Sequence, residues 1–233
     1  MKNASQPVKI ITGNEGEIFD IELSEDLLKK NESLADANRQ ALDKNRILAI
    51  DILGSVGSGK TSLIEQITRR LQGKKRIGMI AGDLTTTIDA DRVKRHGAQI
   101  IQVNTGKECH LDANLVKRAL NEFKLSDIDL LIIENVGNLI CPGEFHLGAH
   151  KRIVVVSVTE GPYMIIKHPY IFQEAGLAII NKIDLAQAME VDIKQLEADA
   201  LKINPRIKVI RTNCRTGEGV DKVIEFLKLD SNH

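Results

Sequence analysis

The sequence predicts an α/β fold, in which a mostly parallel sheet of about seven strands carries helices on both faces. From residue 46 onward, short apolar runs typical of buried strands alternate with amphipathic stretches of helical spacing. A glycine-rich loop lies between the first of these strands and the first helix. Such alternation is typical of a parallel sheet whose strands are connected through helices. Ligands of these sheets bind at the carboxyl ends of the strands, so we expect the functional site there.

Residues 1–45 are predicted to form an N-terminal extension, and residues 46–233 the main domain. One helix is expected over residues 24–45, with Ser24 as its N-cap. Its polar residues, among them Asn31 and Arg39, are expected to face solvent. The helix could dock on the main domain or on a partner subunit, and the sequence leaves both open. In the main domain, strands are expected near residues 46–53, 76–82, 99–103, 128–134, 152–158, 177–181 and 207–211, and helices near residues 60–72, 89–96, 111–124, 166–175, 190–203 and 219–228.

The composition excludes several classes of function. Lys plus Arg and Asp plus Glu number 32 each, so no excess of charge indicates binding to nucleic acid or to membrane lipid. No apolar run approaches the roughly 20 residues that span a bilayer, and no secretion signal is recognised. The three cysteines, an odd number, therefore indicate reduced thiols, metal ligands or core residues. We expect a cytoplasmic protein that binds neither nucleic acid nor membrane.

The segment from residue 54 to residue 61 fits the phosphate-binding pattern G-x-x-x-x-G-K-S/T. Its glycines allow a tight fold around phosphate, and the helix that follows offers unpaired N–H groups. Lys60 is expected to reach the β- and γ-phosphates, and the Thr61 hydroxyl to hold Mg²⁺. The predicted phosphate-binding residues are Gly54, Ser55, Val56, Gly57, Ser58, Gly59, Lys60, Thr61 and Ser62. The alternative is an ordinary glycine and serine turn; the motif in its context favours a P-loop NTPase fold.

The pattern N-K-x-D at residues 181–184 follows an apolar strand and indicates a guanine base. The Asp184 carboxylate can accept the N1–H and the 2-amino protons of guanine, whereas adenine has an acceptor at N1 and no 2-amino group. Asn181 is expected to brace the base-binding loops, and the stem of Lys182 to lie across the purine. The alternative is an Asn/Asp turn that opens a helix.

A second base-contacting loop is expected after the strand near residues 207–211. It contains Cys214 and Arg215, and its backbone N–H groups could meet the guanine carbonyl. A plain connection between a strand and a helix is the alternative. Cys214 fits this loop better than it fits a metal site.

A magnesium carboxylate is expected in the strand near residues 128–134. Asp129 begins that strand, and its five residues at about 3.3 Å each place Asp129 about 16 Å from the ligand edge. Glu134 lies at the correct end, so we assign Glu134 to Mg²⁺ and to catalysis. Gly137, three residues later, is expected to present its N–H to the γ-phosphate.

A second nucleotide switch is expected after the strand near residues 76–82. One of Asp83 and Asp89 is expected to contact the magnesium shell or to position the attacking water. The alternative for Asp89 is the N-cap of the helix that runs to His96.

Cys109, His110 and Cys141 lie in loops at the ligand edge of the predicted sheet. Thiols and imidazole together suit Zn²⁺ or Ni²⁺. A closed tetrahedral site takes four ligands and one chain offers three, so a two-fold dimer could supply the remainder. The alternative is that the cysteines are buried free thiols. The histidines expected to be structural or surface residues are His96, His146, His150 and His168.

These motifs together resemble the HypB family, GTPases that assist nickel insertion into nickel–iron hydrogenase. The resemblance covers nearly everything from about residue 25 onward and rests on residues 54–61, 104–113, 133–142 and 181–184. The sister family, the urease accessory G protein, has Cys-Pro-His at the metal position. Here Gly143 follows Cys-Pro instead, which favours the hydrogenase branch. Many bacterial members have an N-terminal cysteine cluster or histidine-rich tract, whereas residues 1–45 contain neither cysteine nor histidine, so storage of nickel is not expected.

The resemblance implies a P-loop GTPase of the SIMIBI class that hydrolyses GTP to GDP slowly, with Mg²⁺, and dimerises when GTP binds. It implies that Cys109, His110 and Cys141 bind Ni²⁺ or Zn²⁺ at the dimer interface. It also implies that Lys167 reaches the partner's nucleotide and that Asp89 is the switch aspartate. The implied partners are other hydrogenase maturation factors and the hydrogenase large subunit. Two other functions stay open, a GTPase chaperone of a urease-type or mutase-type enzyme and a small-molecule kinase.

Overall fold

The computed structural model describes residues 18–83, 92–105, 110–140 and 143–230, with the backbone alone for residues 18–25 and for Asp83. The described strands form one sheet of seven parallel strands, which confirms the predicted fold class. They are β1 (Leu48–Leu53), β2 (Ile77–Asp83), β3 (Gln99–Asn104), β4 (Leu130–Glu134), β5 (Lys151–Ser157), β6 (Leu177–Asn181) and β7 (Lys208–Arg211). Their order in the sheet is β3-β2-β4-β1-β5-β6-β7. The strand that leads into the glycine loop, β1, therefore lies at the centre.

Helices cover both faces of this sheet. They are α1 (Ile18–Lys44), α2 (Lys60–Leu71), α3 (Ala113–Glu122), α4 (Met164–Lys167), α5 (Tyr170–Gln173), α6 (Ile193–Ile203) and α7 (Val220–Leu227), and residues 92–94 are helical as well. On one face, Ile50 and Ile52 of β1 pack with α2 and α7. On the other face, Leu53 packs with residues of α5 and α6. Because both faces are buried, the central strands carry nearly continuous apolar runs, and their ends hold the connecting loops at one edge.

The single helix predicted over residues 166–175 is wrong. Two short helices, α4 and α5, stand there, and His168 between them has φ −129° and ψ 54°, outside the helical region. Pro169 explains the break, because proline lacks a backbone N–H and disfavours helical backbone in the residue before it. The predicted helix over residues 89–96 falls only in part within the described ranges.

The N-terminal helix is longer than predicted. It begins at Ile18, so Ser24 lies inside the helix and is not its N-cap. A serine costs little in a helix interior, and no proline or glycine between residues 18 and 24 ends the helix. The boundary between an extension and a main domain at residue 45 stays a prediction.

The structure shows α1 packed on its own chain rather than left free. Leu42 is buried against the sheet beside Ile47. Asn38 donates its amide protons to the carbonyl groups of Ala113, at 2.8 Å, and Leu147, at 3.2 Å. The expectation that Asn31 and Arg39 face solvent is wrong, because both side chains bond to backbone groups of the main domain.

Candidate nucleotide-binding site

The glycine loop lies between β1 and α2, at the carboxyl edge of the sheet. The Lys60 ammonium is buried under this loop and donates hydrogen bonds to the carbonyl oxygens of Gly54 and Ser55, both at 3.0 Å. A cleft of about 300 Å³ opens beside it. The cleft is lined by Val56, Gly57, Gly59, Lys60, Thr61, Ser62, Ala81, Gly82, Arg92, Glu134, Asn135, Gly137 and Lys182. The structure therefore brings the phosphate loop, the end of β4 and the N-K-x-D segment together around one cavity.

Thr61 and Glu134 meet in this cleft. The Thr61 hydroxyl donates a hydrogen bond to Glu134 Oε1 at 2.7 Å, and Glu134 is 8% exposed at the carboxyl end of β4. Asp129 lies at the opposite edge, where its carboxylate pairs with the Arg76 guanidinium at 2.6 Å. Hydrogen bonding to Arg76 holds the pKa of Asp129 below its usual range. A hydroxyl and a carboxylate oxygen at this distance form a donor set of the kind that Mg²⁺ prefers. Asp129 cannot join this set, because it lies at the other end of β4.

The segment after Glu134 rests directly on the phosphate loop. A Cβ placed on Gly137 would lie 2.9 Å from the backbone nitrogen of Val56, which is closer than side-chain carbons approach. Asn138 forms an isolated antiparallel bridge with Gly54. Gly137 and Asn138 are therefore packed directly on the predicted phosphate loop.

Asn181 joins the phosphate loop to the second predicted base loop. Its Nδ2 donates to the carbonyl of Ser58 at 2.8 Å. Its Oδ1 accepts from the Thr212 hydroxyl at 3.1 Å and from the backbone N–H of Cys214 at 3.0 Å. These hydrogen bonds link the two loops through Asn181, and the binding of a base by these loops stays a prediction.

The two charged residues of N-K-x-D follow at once. Lys182 has a left-handed backbone with φ 59°, and its ammonium donates to the Thr159 hydroxyl at 3.4 Å. Asp184 is exposed and lies in a single 3-10 turn, Ile183–Leu185. In the loop after β7, Cys214 is buried and Arg215 is exposed. Burial raises the pKa of the Cys214 thiol, which favours a protonated packing residue.

A third carboxylate stands near the cleft at Glu160, which the sequence did not single out. It accepts the backbone N–H of Ser157 at 2.8 Å as part of a capping box. Burial raises the pKa of Glu160, and the positive charges of Lys182 and Lys60 act in the opposite direction. Its structural role as a cap accounts for its position.

Two side chains of helix α2 support the loop after β7, the second predicted base loop, and the sequence analysis did not find these contacts. Gln66 donates its amide proton to the carbonyl of Cys214 at 3.0 Å, and Arg70 donates to the carbonyl of Gly217 at 3.1 Å. The two residues are four apart and share one helix face. Their partners are backbone carbonyls almost 150 residues away, so no sequence motif marks them.

Arg92 also lines the cleft without a sequence signal. Its guanidinium donates to Glu65 at 2.6 Å and to the Ser62 hydroxyl at 3.3 Å. Both partners lie on α2, so Arg92 holds the segment after the predicted second switch against the phosphate-binding helix.

Several predicted site residues lie outside the part that the structure describes. Asp89, Cys109 and Cys141 fall in the undescribed ranges, and the Asp83 side chain is likewise not described. His110 is described, and its ring stacks on Phe145 with 4.0 Å between ring centres. Within the described ranges, no group of three or more His, Cys, Asp or Glu side chains could hold a metal ion. The metal ligands therefore stay predictions.

The remaining predicted residues outside the cleft have clear surroundings. Lys167 is exposed at the end of α4, where Ile166 and Tyr170 are also exposed. His146 and His150 each face a carboxylate, at 3.0 and 2.8 Å, as expected for structural histidines. Of the helices that are described, none is both long and apolar enough to cross a bilayer.

Replacing Gly59 by alanine is expected to weaken nucleotide binding more than replacing Gly57. Both residues have a left-handed backbone, with φ 101° and 78°, so alanine strains the loop at each position by about 1–2 kcal/mol. At Gly59 the new Cβ would also collide with Asn181 Nδ2, whereas at Gly57 it would meet no described atom within 4 Å. Displacing Asn181 leaves buried groups unpaired, so we expect a further loss of about 10- to 100-fold in affinity.

Titration with GTP and GDP of the two variants measures this difference directly. Gly57→Ala is the matched control, since it changes the same residue type in the same loop. Equal affinity in the two variants would show that Asn181 does not organise the site.

A family model described as CobW/HypB/UreG, nucleotide-binding domain, matches residues 48–211. The chain is 53% identical over 208 residues to a protein of Methanocaldococcus jannaschii named probable hydrogenase maturation factor HypB, covering 89% of this chain and 94% of that protein. The crystal structure of hydrogenase maturation factor HypB from Archaeoglobus fulgidus superposes with a TM-score of 0.82 at 46% identity, over 87% of this chain and 100% of that one. The crystal structure of HypB from Helicobacter pylori in complex with nickel has a TM-score of 0.81 at 31% identity, over 88% of this chain and 99% of that one.

Proposed function

Because this chain belongs to the CobW/HypB/UreG family, in its HypB branch, we propose that it is a GTP-hydrolysing metallochaperone switch for nickel delivery to nickel–iron hydrogenase. The observation that carries the proposal is the contact of 2.7 Å between Thr61 and Glu134. It joins the phosphate loop to a strand whose continuation reaches Gly137 and then, four residues later, Cys141. The same segment therefore connects the nucleotide to a predicted metal ligand.

Guanine recognition is assigned to Asp184, with Asn181 holding the two base loops in register. The exposed carboxylate of Asp184 stands at the sheet edge where ligands of this fold bind. Lys182 would cover one face of the purine. The backbone N–H groups of Cys214 and Arg215, expected to meet the guanine carbonyl, instead donate to Oδ1 of Asn181 and Oδ1 of Asn213, so these two residues would shape the loop beside the base. The donor pattern of guanine, rather than that of adenine, suits a carboxylate in this position.

Thr61 and Glu134 would hold Mg²⁺, because the donor set is made of the hard oxygens that this ion prefers. When bound, the ion would neutralise the charge that develops on the phosphate oxygens during hydrolysis. Lys60 would donate to the β- and γ-phosphates from its place under the loop, and Gly137 would present its N–H to the γ-phosphate. Asp89, or else Asp83, stays the proposed residue of the second switch.

Hydrolysis is proposed to be slow. Arg92 is the arginine among the described residues that line the cleft, and its guanidinium is engaged by Glu65 and Ser62. The other cationic side chains of the described lining are Lys60 and Lys182, and Lys182 is proposed to cover the purine, so Lys60 is the residue of this lining that would face the phosphates. A slow GTPase suits a switch whose two states must each persist long enough to meet a partner.

Nickel, or zinc, is the proposed cargo of Cys109, His110 and Cys141 at an interface between two copies of the chain. The support is the related Helicobacter pylori protein, which was crystallised with nickel, and a donor set of two thiols and one imidazole. GTP would promote the homodimer, and Lys167, exposed at the end of α4, would reach the partner's nucleotide. Other hydrogenase maturation factors and the hydrogenase large subunit are the proposed partners.

Light scattering coupled to size exclusion tests this function when it is run with GDP and with a non-hydrolysable GTP analogue, each with and without Ni²⁺. We expect a dimer in the analogue-bound state and a nickel affinity that differs between the two nucleotide states. Equal nickel affinity in both states, measured by titration, would rule out a nucleotide-controlled metal switch.

A further inference from the structure

A buried polar junction lies next to the nucleotide site but has no part in the function proposed above. Asp51 is 1% exposed in the middle of β1, between isoleucine neighbours. Its carboxylate faces the Arg152 guanidinium at 3.3 Å and the Asn135 amide nitrogen at 3.4 Å. A buried carboxylate is costly unless it is paired, and a central strand position normally holds an aliphatic residue. The junction therefore calls for an explanation beyond core packing.

Arg152 extends the junction to the connection between β4 and β5. Its guanidinium donates to the carbonyl oxygens of Gly143, at 3.0 Å, and Phe145, at 2.9 Å. Gly143 is two residues beyond Cys141. The ring of Phe145 stacks on His110, so this connection also touches the other predicted metal segment.

Asn135 extends the junction to the nucleotide site. It is 1% exposed and directly follows Glu134, the proposed Mg²⁺ ligand. Its Oδ1 accepts the backbone N–H of Leu111 at 3.1 Å and that of Val136 at 3.0 Å. Leu111 is the neighbour of His110 in the chain and is itself buried.

Through these contacts Asn135 connects three segments of the chain, which are the segments around Glu134, around His110 and around Gly143. Asn135 directly follows Glu134 in the chain. Its Oδ1 accepts the N–H of Leu111, the residue after His110. Its Nδ2 donates to the Asp51 carboxylate, which pairs with Arg152. If the end of β4 shifts, Asn135 must carry Leu111 with it or leave buried polar groups unpaired. A discrete set of paired arrangements is therefore favoured over a gradual deformation.

We propose that Asn135 is the positioning residue that transmits the nucleotide state to the metal-binding segments, with Asp51 and Arg152 holding it in register. This rests on the proposed function, because it presupposes that metal affinity depends on the nucleotide. Asn135 also lines the nucleotide cleft, so the test compares metal affinities at saturating nucleotide rather than nucleotide affinities. It sets where the segments around His110 and Gly143 stand relative to Glu134.

The test measures the Kd of Ni²⁺ for the full chain at saturating GDP and at a saturating non-hydrolysable GTP analogue, and takes the ratio of the two values. We expect a ratio that differs from one by about 5-fold or more in the unmodified chain, as is typical of coupled sites. In Asn135→Ala the ratio is expected to fall to within about 2-fold of one. Asn204→Ala is the matched control, because Asn204 is also buried and donates to the carbonyls of Phe172 and Ala175 rather than to a group that bonds to Asn135. Its ratio is expected to stay at the unmodified value.

An exchange of side chains gives a rescue that a merely structural role would not produce. Asn135→Asp alone places two carboxylates face to face in a buried site, so the ratio is expected to fall toward one. Adding Asp51→Asn restores one donor and one acceptor between the two positions, and the ratio is expected to recover.

The outcomes separate this inference from the proposed function. A ratio of one in the unmodified chain overturns both. A normal ratio in the unmodified chain that persists in Asn135→Ala overturns only the role of Asn135. If Asn135→Ala does not unfold cooperatively, Asn135→Asp decides instead, and an unchanged ratio in that variant overturns the proposal.

Discussion

Replacing Asp184 by asparagine is expected to lower the affinity for GTP by about 10²- to 10⁴-fold, which corresponds to the loss of two charge-assisted hydrogen bonds. An amide at this position turns one acceptor oxygen into a donor, which then faces the donating N1–H and 2-amino groups of guanine. Xanthine carries an oxygen in place of the 2-amino group, so the variant is expected to prefer xanthosine triphosphate. The change of preference, rather than the loss alone, identifies Asp184 as the base reader.

The measurement is the Kd of each variant for GTP, ATP and xanthosine triphosphate. Asp192→Asn is the matched control, since it removes the same charge from an exposed aspartate a few residues along the chain. Asp192 caps α6, and asparagine caps a helix equally well, so the fold is kept. An equal loss of GTP affinity in both variants would show a general effect of charge, and a normal affinity in Asp184→Asn would remove the base assignment.

The sequence predicts the centre of the sheet well because the central strands, such as β1, β4, β5 and β6, are buried on both faces. Apolar runs such as the one around Ile50 leave little choice between strand and loop, and glycine and lysine then mark where β1 ends. The choice of Glu134 over Asp129 follows from strand length alone, and the pairing of Asp129 with Arg76 at the far edge agrees with it. Position along a strand is thus readable from sequence when the strand is recognised.

The sequence does not predict which polar side chains are buried. Asn31, Asn38 and Arg39 form a polar helix surface, yet all three bond to backbone groups more than 70 residues away. Asn135 and Gln66 likewise bind backbone N–H or carbonyl groups, which every residue type carries. A side chain that bonds to a backbone group has no partner residue type that a sequence pattern could reveal. These hydrogen bonds are therefore seen only in the folded structure.

The break in the helix predicted over residues 166–175 is a different kind of miss. Pro169 is visible in the sequence, and its effect on His168 is local. The amphipathic spacing around it outweighed this signal in the prediction.

By contrast, Asp89, Cys109 and Cys141 lie outside the described residues, so their roles rest on motif and family alone.

Replacing Glu134 by glutamine is expected to reduce the rate of GTP hydrolysis by about 10²- to 10³-fold, in the range found when one charge-stabilising group is removed. Glutamine has nearly the same shape and can still accept the hydrogen bond of Thr61, so the fold and the phosphate loop are expected to persist. What is lost is the negative charge that would hold Mg²⁺ beside the phosphates. Hydrolysis in the variant should therefore require a higher Mg²⁺ concentration than in the unmodified chain.

Asp129→Asn is the control that makes this result specific. It is the same chemical change, from a carboxylate to an amide, but Asp129 directly precedes β4 whereas Glu134 ends it. The partner of Asp129 is the exposed Arg76. Because an exposed ion pair contributes little, this variant is expected to keep both the rate and the Mg²⁺ dependence. Hydrolysis rates measured across a series of Mg²⁺ concentrations compare the two variants. If Asp129→Asn lost activity while Glu134→Gln kept it, the magnesium site would have to be sought away from the carboxyl end of β4.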